Sequence, residues 1–315
     1  MDKLLEIKNL NLFFGENQAL YDINLVLNKG EMRALAGESG CGKTLTAMSI
    51  IRLLPKSAVI KSGEIIFNGD NLLYYKEKQM RELRGNKIAL IPQDPMTSLN
   101  PLYTVGNQLI ESIRAHSHVS RHQAKRKAIE VMDMVKISDI KNKLNNYPHE
   151  FSGGMKQRII ISMALATNAE LIIADEPTTA LDVTIQKQIM DLIDEIKREL
   201  GTTILLISHD LALVSNYADN ISIMYSGHIV EEAPSEDFFK NPMHPYSNAL
   251  LNSLPTRNPA LKLKTIEGAP PSIQEKIDGC KFHPRCEFCD SSVCTVTQPA
   301  LKEKSKNHFS ACLVK

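Results

Sequence analysis

The sequence predicts an α/β fold with a helical insertion and an irregular C-terminal extension, and three observations predict it. Continuous apolar runs, LIIA within 170–175 and ILLI within 202–208, read as parallel strands buried on both faces. A glycine-rich loop, GESGCGKT at 37–44, follows one strand and opens a helix. From about Ala233 onward prolines recur, at 234, 242, 245, 255, 259, 270 and 271, and periodicity fades. With 315 residues and 43% hydrophobic content, the chain can bury one large domain plus an appendage, or two domains.

Taken in order, LLEIKNLNL, ALYDINLVL and EMRALAG read as strands within residues 3–37, punctuated by Gly15, Asn28-Lys29-Gly30 and Gly37. A helix is expected from Lys43 to about Leu54, stopped by Pro55. SGEIIFNG at 62–69 and KIALIPQDP at 87–95 read as further strands. From about Thr104 to Ala166 the pattern is helical, and QAKRKAIEVMDMV places Ala128, Val131, Met132 and Val135 on one face. Strands and helices then alternate: ELIIAD, a helix Val183–Leu200 closed by Gly201, TTILLIS, and a helix after Asp210. No internal repeat or low-complexity tract interrupts the series.

Composition narrows the classes. A net charge of +1 gives no basic field of the kind that marks a nucleic-acid binder. No stretch approaches the ~20 apolar residues of a membrane-spanning helix, and MDKLLEIKNLNLFFG lacks the apolar core of a signal peptide. The expectation is a cytosolic chain, which leaves docking on a membrane protein open. In that setting structural disulfides are disfavoured. The six cysteines include four between 280 and 294 and one at 312, so a metal or a cluster is the better explanation of the grouping.

GESGCGKT fits G-x-x-x-x-G-K-[ST]. Its glycines Gly37, Gly40 and Gly42 let backbone N–H groups converge on phosphate oxygens, with Ser39 and Cys41 as tolerated small residues between them. Lys43 is expected on the β/γ-phosphates and Thr44 on Mg²⁺. A chance glycine-rich turn would lack the flanking strand and helix. In LIIADEP at 171–177, Asp175 ends an apolar strand and would supply a carboxylate beside the metal. Glu176 could polarise a water for in-line attack on the γ-phosphate. An acidic pair at a strand end is often only a helix cap, but here it accompanies a phosphate loop. FSGGMKQR at 151–158 offers a second phosphate-ready helix start, at Ser152, Gly153 and Gly154. One chain needs no second such end for one nucleotide, unless two subunits pair head to tail and cover each other's ATP.

With these motifs the chain resembles the ATP-binding-cassette (ABC) ATPases. SGGMKQR is similar to their signature motif and TTALD at 178–182 to their D-loop. Gln93 resembles the Q-loop glutamine, His209 in LLISHD the switch histidine, and Phe14 in FFG the aromatic that stacks on adenine. The motifs occur in family order across residues 5–230. The resemblance implies a P-loop nucleotide-binding domain over residues 1–232. It has a RecA-like core, an N-terminal antiparallel β subdomain and a helical subdomain at about 95–165. It also implies ATP and Mg²⁺, the metal held by Thr44, Gln93 and Asp175, with Glu176, His209 and Gln93 as the catalytic set.

PQDPMTSLNPLYTVGNQL (92–109), YPHEFSGG (147–154), GHIVEEAPSEDFFKNPMHPYSNALL (227–251) and EGAPP (267–271) resemble the ATPase subunits of bacterial oligopeptide, dipeptide and nickel importers. GCKFHPRC and the cysteines after it resemble the D-type subunit of those pairs. The implied protein is peripheral on the cytoplasmic face of the inner membrane. It would be bound to two permease subunits and served by an extracytoplasmic binding protein. A heterodimer with a sister ATPase is expected, a homodimer remaining open. Di- and oligopeptides are the commonest cargo of such relatives, with nickel, metal chelates and glutathione as alternatives.

The cysteine spacing is C-x5-C-x2-C-x4-C and then Cys312. Only Cys286–Cys289 has the tight spacing of structural zinc, whereas iron–sulfur clusters accept more varied sets. The resemblance assigns Cys280, Cys286, Cys294 and Cys312 to a [4Fe-4S] cluster. The sequence departs from the family at Cys289, where alanine is more usual, so five thiols stand for four places and zinc stays an alternative. A soluble ABC ATPase of repair or translation would need a long coiled-coil insertion or two cassettes, and neither is present. A metal-sensing module with a secondary ATPase is the third reading.

Overall fold

The computed structural model describes residues 2–179, 181–254 and 265–315. Ala180 of the TTALD stretch and Pro255 and Pro259 of the proline-rich extension lie outside the described residues. Two compact units form: Met1–Leu73 with Leu206–Lys315, and Tyr74–Leu205.

The first unit opens with β1 (Lys3–Phe14), β2 (Asn17–Asn28) and β3 (Met32–Ala36), then α1 (Lys43–Ile50), β4 (Ala58–Phe67) and β5 (Asp70–Asn71). β1 is central in an antiparallel sheet, Ile7 standing opposite both Leu25 of β2 and Ile65 of β4. Leu5 and Ile7, then Leu10 and Leu12, are fully buried; the alternation slips by one residue at Asn9, whose φ of 45° marks a break in register that keeps both pairs on the covered face. Asn68 and Gly69 both take positive φ, the backbone a two-residue hairpin turn needs between β4 and β5. α1 stops four residues before the expected Leu54 because Arg52 turns left-handed, at φ 52°. Its guanidinium donates to the Leu72 carbonyl at 3.1 Å.

The second unit contains α2 (Glu77–Leu83), β6 (Ile88–Ile91), α3 (Pro95–Ser98), α4 (Val105–Ala115), α5 (Arg121–Met134), α6 (Ile140–Lys143), α7 (Gly153–Leu165), β7 (Leu171–Asp175) and α8 (Val183–Leu200). The helical stretch expected at 104–166 is thus several helices, each with its own start signal. Thr104 caps α4, and Ser120 caps α5 in a reciprocal box with Gln123. The expected apolar face of α5 is buried, and Arg158 of α7 donates to the Val135 carbonyl at its end. α8 spans the residues expected of it, and Gly201 closes it at φ 65°. β6 and β7 run parallel, with Ile91 beside Ala174.

β8 (Thr203–Ser208) carries the chain back to the first unit, which continues with α9 (Leu211–Tyr217), β9 (Asn220–Tyr225), β10 (His228–Pro234), α10 (Ser235–Lys240), α11 (Pro245–Asn252), α12 (Ser291–Cys294), β11 (Lys302–Ser305) and β12 (His308–Ser310). β9 lies parallel to β3, and β10, β12 and β11 extend that sheet antiparallel. The C-terminal stretch therefore holds more regular structure than its proline content suggests. It is fastened by side chains far apart in sequence. Phe282 is buried against Tyr225 and Tyr246, with ring centroids 5.2 and 5.3 Å away. The fully buried Glu231 accepts the N–H groups of Met243 and His244 and Nε2 of His308.

Candidate nucleotide-binding site

The phosphate loop joins β3 to α1 in the first unit. Gly37 is backed so closely that a Cβ would lie 2.2 Å from the Met224 carbonyl oxygen, at φ 149°. Gly42 has φ 108° and would place a Cβ 2.7 Å from Leu20. Both positions therefore demand glycine. Gly40, also at positive φ, faces open space. Lys43 is buried, its ammonium held by the Gly37 and Glu38 carbonyls, both at 2.9 Å, with the Cys41 sulfur at 3.8 Å. Ser39 and Thr44 are exposed. The loop thus presents a cation, open backbone and a helix start, an arrangement suited to phosphate. Phe14 ends β1 half-buried, beside the turn at Gly15. His209, exposed, follows β8, and Asp210 next to it caps α9.

In the second unit the parallel pairing of β6 and β7 sets their carboxyl ends side by side. Gln93 comes two residues after β6 and Glu176 one residue after β7. Their side chains meet: the Gln93 amide donates to Glu176 Oε2 at 2.9 Å. Thr179 donates its hydroxyl to the same oxygen at 3.0 Å. Glu176 adopts φ 46°, a conformation that costs a non-glycine residue energy and recurs at functional sites. Asp175 is buried at the end of β7. Asp94, after Gln93, caps α3, and the Met96 N–H and Thr97 hydroxyl hold its carboxyl below the usual range. Sequence reasoning missed the role of Thr179 beside Glu176, although it lies in the quoted TTALD. Ser152 caps α7 by accepting from Met155 N–H, with Gly153 and Gly154 in its first turn.

The cysteines of the extension fall in two groups. Cys280, Cys286, Cys294 and Cys312 line one small pocket with His244, His283 and Phe282; Cys289 is not among its lining residues. Gly279, at φ 63°, lets Cys280 N–H reach the Cys294 carbonyl at 2.8 Å; a Cβ there would stand 2.3 Å from that oxygen. Burial, with the neighbouring thiols Cys280 and Cys312 adding to it, pushes the Cys286 thiol up to about 11. Among the described residues no three His, Cys, Asp or Glu side chains form a group that could hold a single metal ion. No described helix is long and apolar enough to cross a membrane.

The loop between β3 and α1 defines a P-loop nucleotide-binding protein. Residues 20–179 match the ABC transporter family, and residues 230–294 match the family described as oligopeptide/dipeptide transporter, C-terminal region. The chain belongs to the ABC transporter ATPases. It is 50% identical to the probable peptide ABC transporter ATP-binding protein of Sinorhizobium fredii, over 99% of this chain and 95% of that one. It is 42% identical to the oligopeptide transport ATP-binding protein OppD of Bacillus subtilis, over 98% of this chain and 87% of that one. The dipeptide transport ATP-binding protein DppD of the same organism is also 42% identical, over 99% and 95%. Among solved structures, a dimeric ATP-binding cassette in a post-hydrolysis state bound to ADP and Pi superposes with a TM-score of 0.66 at 26% identity. It covers 74% of this chain and 99% of that one. The fold is the α/β ABC cassette.

Proposed function

We propose that this protein is the ATP-hydrolysing subunit of a bacterial importer of di- and oligopeptides. The observation that carries the cargo class is the C-terminal region at 230–294, which matches that of oligopeptide and dipeptide transporters. Residues 1–232 form the cassette, with its helical subdomain at about 95–165, and residues 233–315 form the extension. The protein sits peripherally on the cytoplasmic face of the inner membrane. It pairs with a sister ATPase, engages two permease subunits and is supplied by an extracytoplasmic binding protein.

Gly37, Ser39, Gly40, Cys41, Gly42, Lys43 and Thr44 receive the phosphates of ATP, and Phe14 stacks on the adenine. Glu176 orients and deprotonates the attacking water, and the hydrogen bond from Gln93 holds its carboxylate before substrate arrives. His209 contacts the γ-phosphate. Ser152, Gly153 and Gly154 cover the nucleotide of the paired subunit. Thr44, Gln93 and Asp175 offer the hard oxygen donors that Mg²⁺ prefers. When bound, Mg²⁺ offsets the charge on the β- and γ-phosphates. ATP must favour the closed pair strongly over the open one, or binding moves nothing in the permease.

Cys280, Cys286, Cys294 and Cys312 hold a [4Fe-4S] cluster. The four thiols that line one pocket with Cys289 outside its lining are what support this set of ligands. The cluster is structural or redox-sensing, with no part in hydrolysis. The test is reconstitution with the permease pair and binding protein, followed by uptake of labelled peptides. ATP-dependent uptake of peptides, unaffected by excess nickel or glutathione, is expected. Uptake of nickel chelate or glutathione in place of peptide would overturn the cargo assignment.

A further inference from the structure

Arg285 lies in the cysteine-bearing segment, and its guanidinium is saturated. Its two terminal nitrogens donate to the two carboxylate oxygens of Glu38, at 2.8 and 3.1 Å. One of them also reaches the Tyr225 hydroxyl at 3.3 Å, and the other the Gly268 carbonyl at 3.2 Å. Nε donates to the Glu267 carbonyl at 2.9 Å. A guanidinium has five N–H donors in a rigid fork, so each has an acceptor. The side chain is only 6% exposed, and its carboxylate partner 26%.

Glu38 is the second residue of the phosphate loop, and all its polar groups are engaged. Its carboxylate holds Arg285. Its backbone N–H donates to the Tyr246 hydroxyl at 2.9 Å, and its carbonyl accepts the Lys43 ammonium at 2.9 Å. Tyr246 and Tyr225 pack against Phe282, three residues before Arg285. Cys286, which lines the cysteine pocket, follows Arg285 directly. The extension thus grips the loop at a residue that, with Gly37, also anchors the lysine expected to meet the phosphates.

We infer that Arg285 is a positioning residue for ATP binding: by clamping Glu38 it holds the phosphate loop in its binding-competent shape. The inference rests on the reading of that loop as the nucleotide site. Bidentate pairs with a carboxylate fix geometry as well as distance, which a lysine at 285 could not reproduce. Without the clamp, the loop populates other shapes, and apparent affinity falls by the fraction of competent loop that remains. Chemistry on already-bound ATP is spared, because the acceptors of the Arg285 guanidinium are Glu38, Tyr225, Glu267 and Gly268, none of them in the proposed catalytic set.

The test is a double-mutant cycle in the full-length chain: Arg285→Gln, Glu38→Gln and both together. Binding of a non-hydrolysable ATP analogue with Mg²⁺ is measured by calorimetry, and turnover is measured in parallel. Each single variant is expected to weaken analogue binding about ten-fold and raise KM for ATP similarly, with kcat within about two-fold. The double variant is expected to match the singles, since each removes the same clamp. Unchanged affinity in Arg285→Gln, or losses that multiply in the double variant, would overturn the inference. Were Arg285→Gln to misfold, Glu38→Gln alone probes the clamp from the loop side, and normal affinity there is equally adverse. Lys43→Ala separates the two levels. Abolished binding there with normal binding in the Arg285 variant sinks only the clamp, whereas retained binding in Lys43→Ala sinks the loop assignment itself.

Discussion

Glu231 is the side chain on which docking of the C-terminal extension turns, and Glu231→Gln tests it with almost no change of shape. The carboxylate is fully buried in β10. One oxygen accepts Met243 N–H at 2.7 Å and His308 Nε2 at 2.6 Å; the other accepts His244 N–H at 2.9 Å. A glutamine amide can keep the first oxygen. Its NH₂ group then faces the His244 N–H, donor against donor. Leaving one buried donor unmet costs about 1–3 kcal/mol, and weakening the two remaining bonds adds about 1 kcal/mol. A total near 3 kcal/mol lowers the first thermal transition by about 6–12 °C in a unit of this size. Differential scanning calorimetry reads that transition, and limited proteolysis reads release of the extension. A midpoint within about 1 °C of the parent, with the extension still resistant, would refute the assignment.

The same geometry fixes other outcomes. Glu176→Gln should slow hydrolysis by two to four orders of magnitude, the usual worth of a general base, while ATP binding persists and a closed dimer accumulates on gel filtration. Turnover close to the parent would remove Glu176 from that role. Gly37→Ala drives a Cβ to 2.2 Å from the Met224 carbonyl and should abolish nucleotide binding in calorimetry. Burial holds His228 neutral, its pKa lowered from 6.5 to about 4, so the unfolded chain takes up a proton that the folded chain refuses. Stability from this group is complete above pH 6.5 and is lost as pH falls towards 4, by about 1.4 kcal/mol per pH unit. Urea midpoints at neutral and mildly acidic pH should converge in His228→Phe, and an unchanged slope would contradict it. Iron and sulfide analysis on anaerobically purified protein should find the cluster retained in Cys289→Ser and lost in Cys286→Ser; the reverse would exchange the ligand assignment.

Much of the site was legible because it is local. A phosphate loop needs contiguous glycines, a lysine and a following helix, so GESGCGKT announces itself. The end of α8 at Leu200 was equally readable, since Gly201 in the left-handed region stops a helix wherever it occurs. The end of α1 was not, because the left-handed turn falls on Arg52, a residue that gives no glycine-like signal. The extension looked irregular because prolines break periodicity, yet β12 pairs with β10 through residues about eighty positions apart.

By itself, the sequence determined the α/β class, the phosphate loop, the acidic strand end and the grouping of four thiols at 280–294, because each is encoded within a few neighbouring residues. Tertiary structure alone decided which residues meet. It brought Gln93 and Thr179 onto Glu176, set four cysteines around one pocket with Cys289 outside its lining, and laid Arg285 across 247 positions onto Glu38. The physical reason is that a hydrogen bond or thiol pocket is fixed by distances of a few ångströms. Sequence sets such distances only for near neighbours, and strand pairing and aromatic packing set them for the rest.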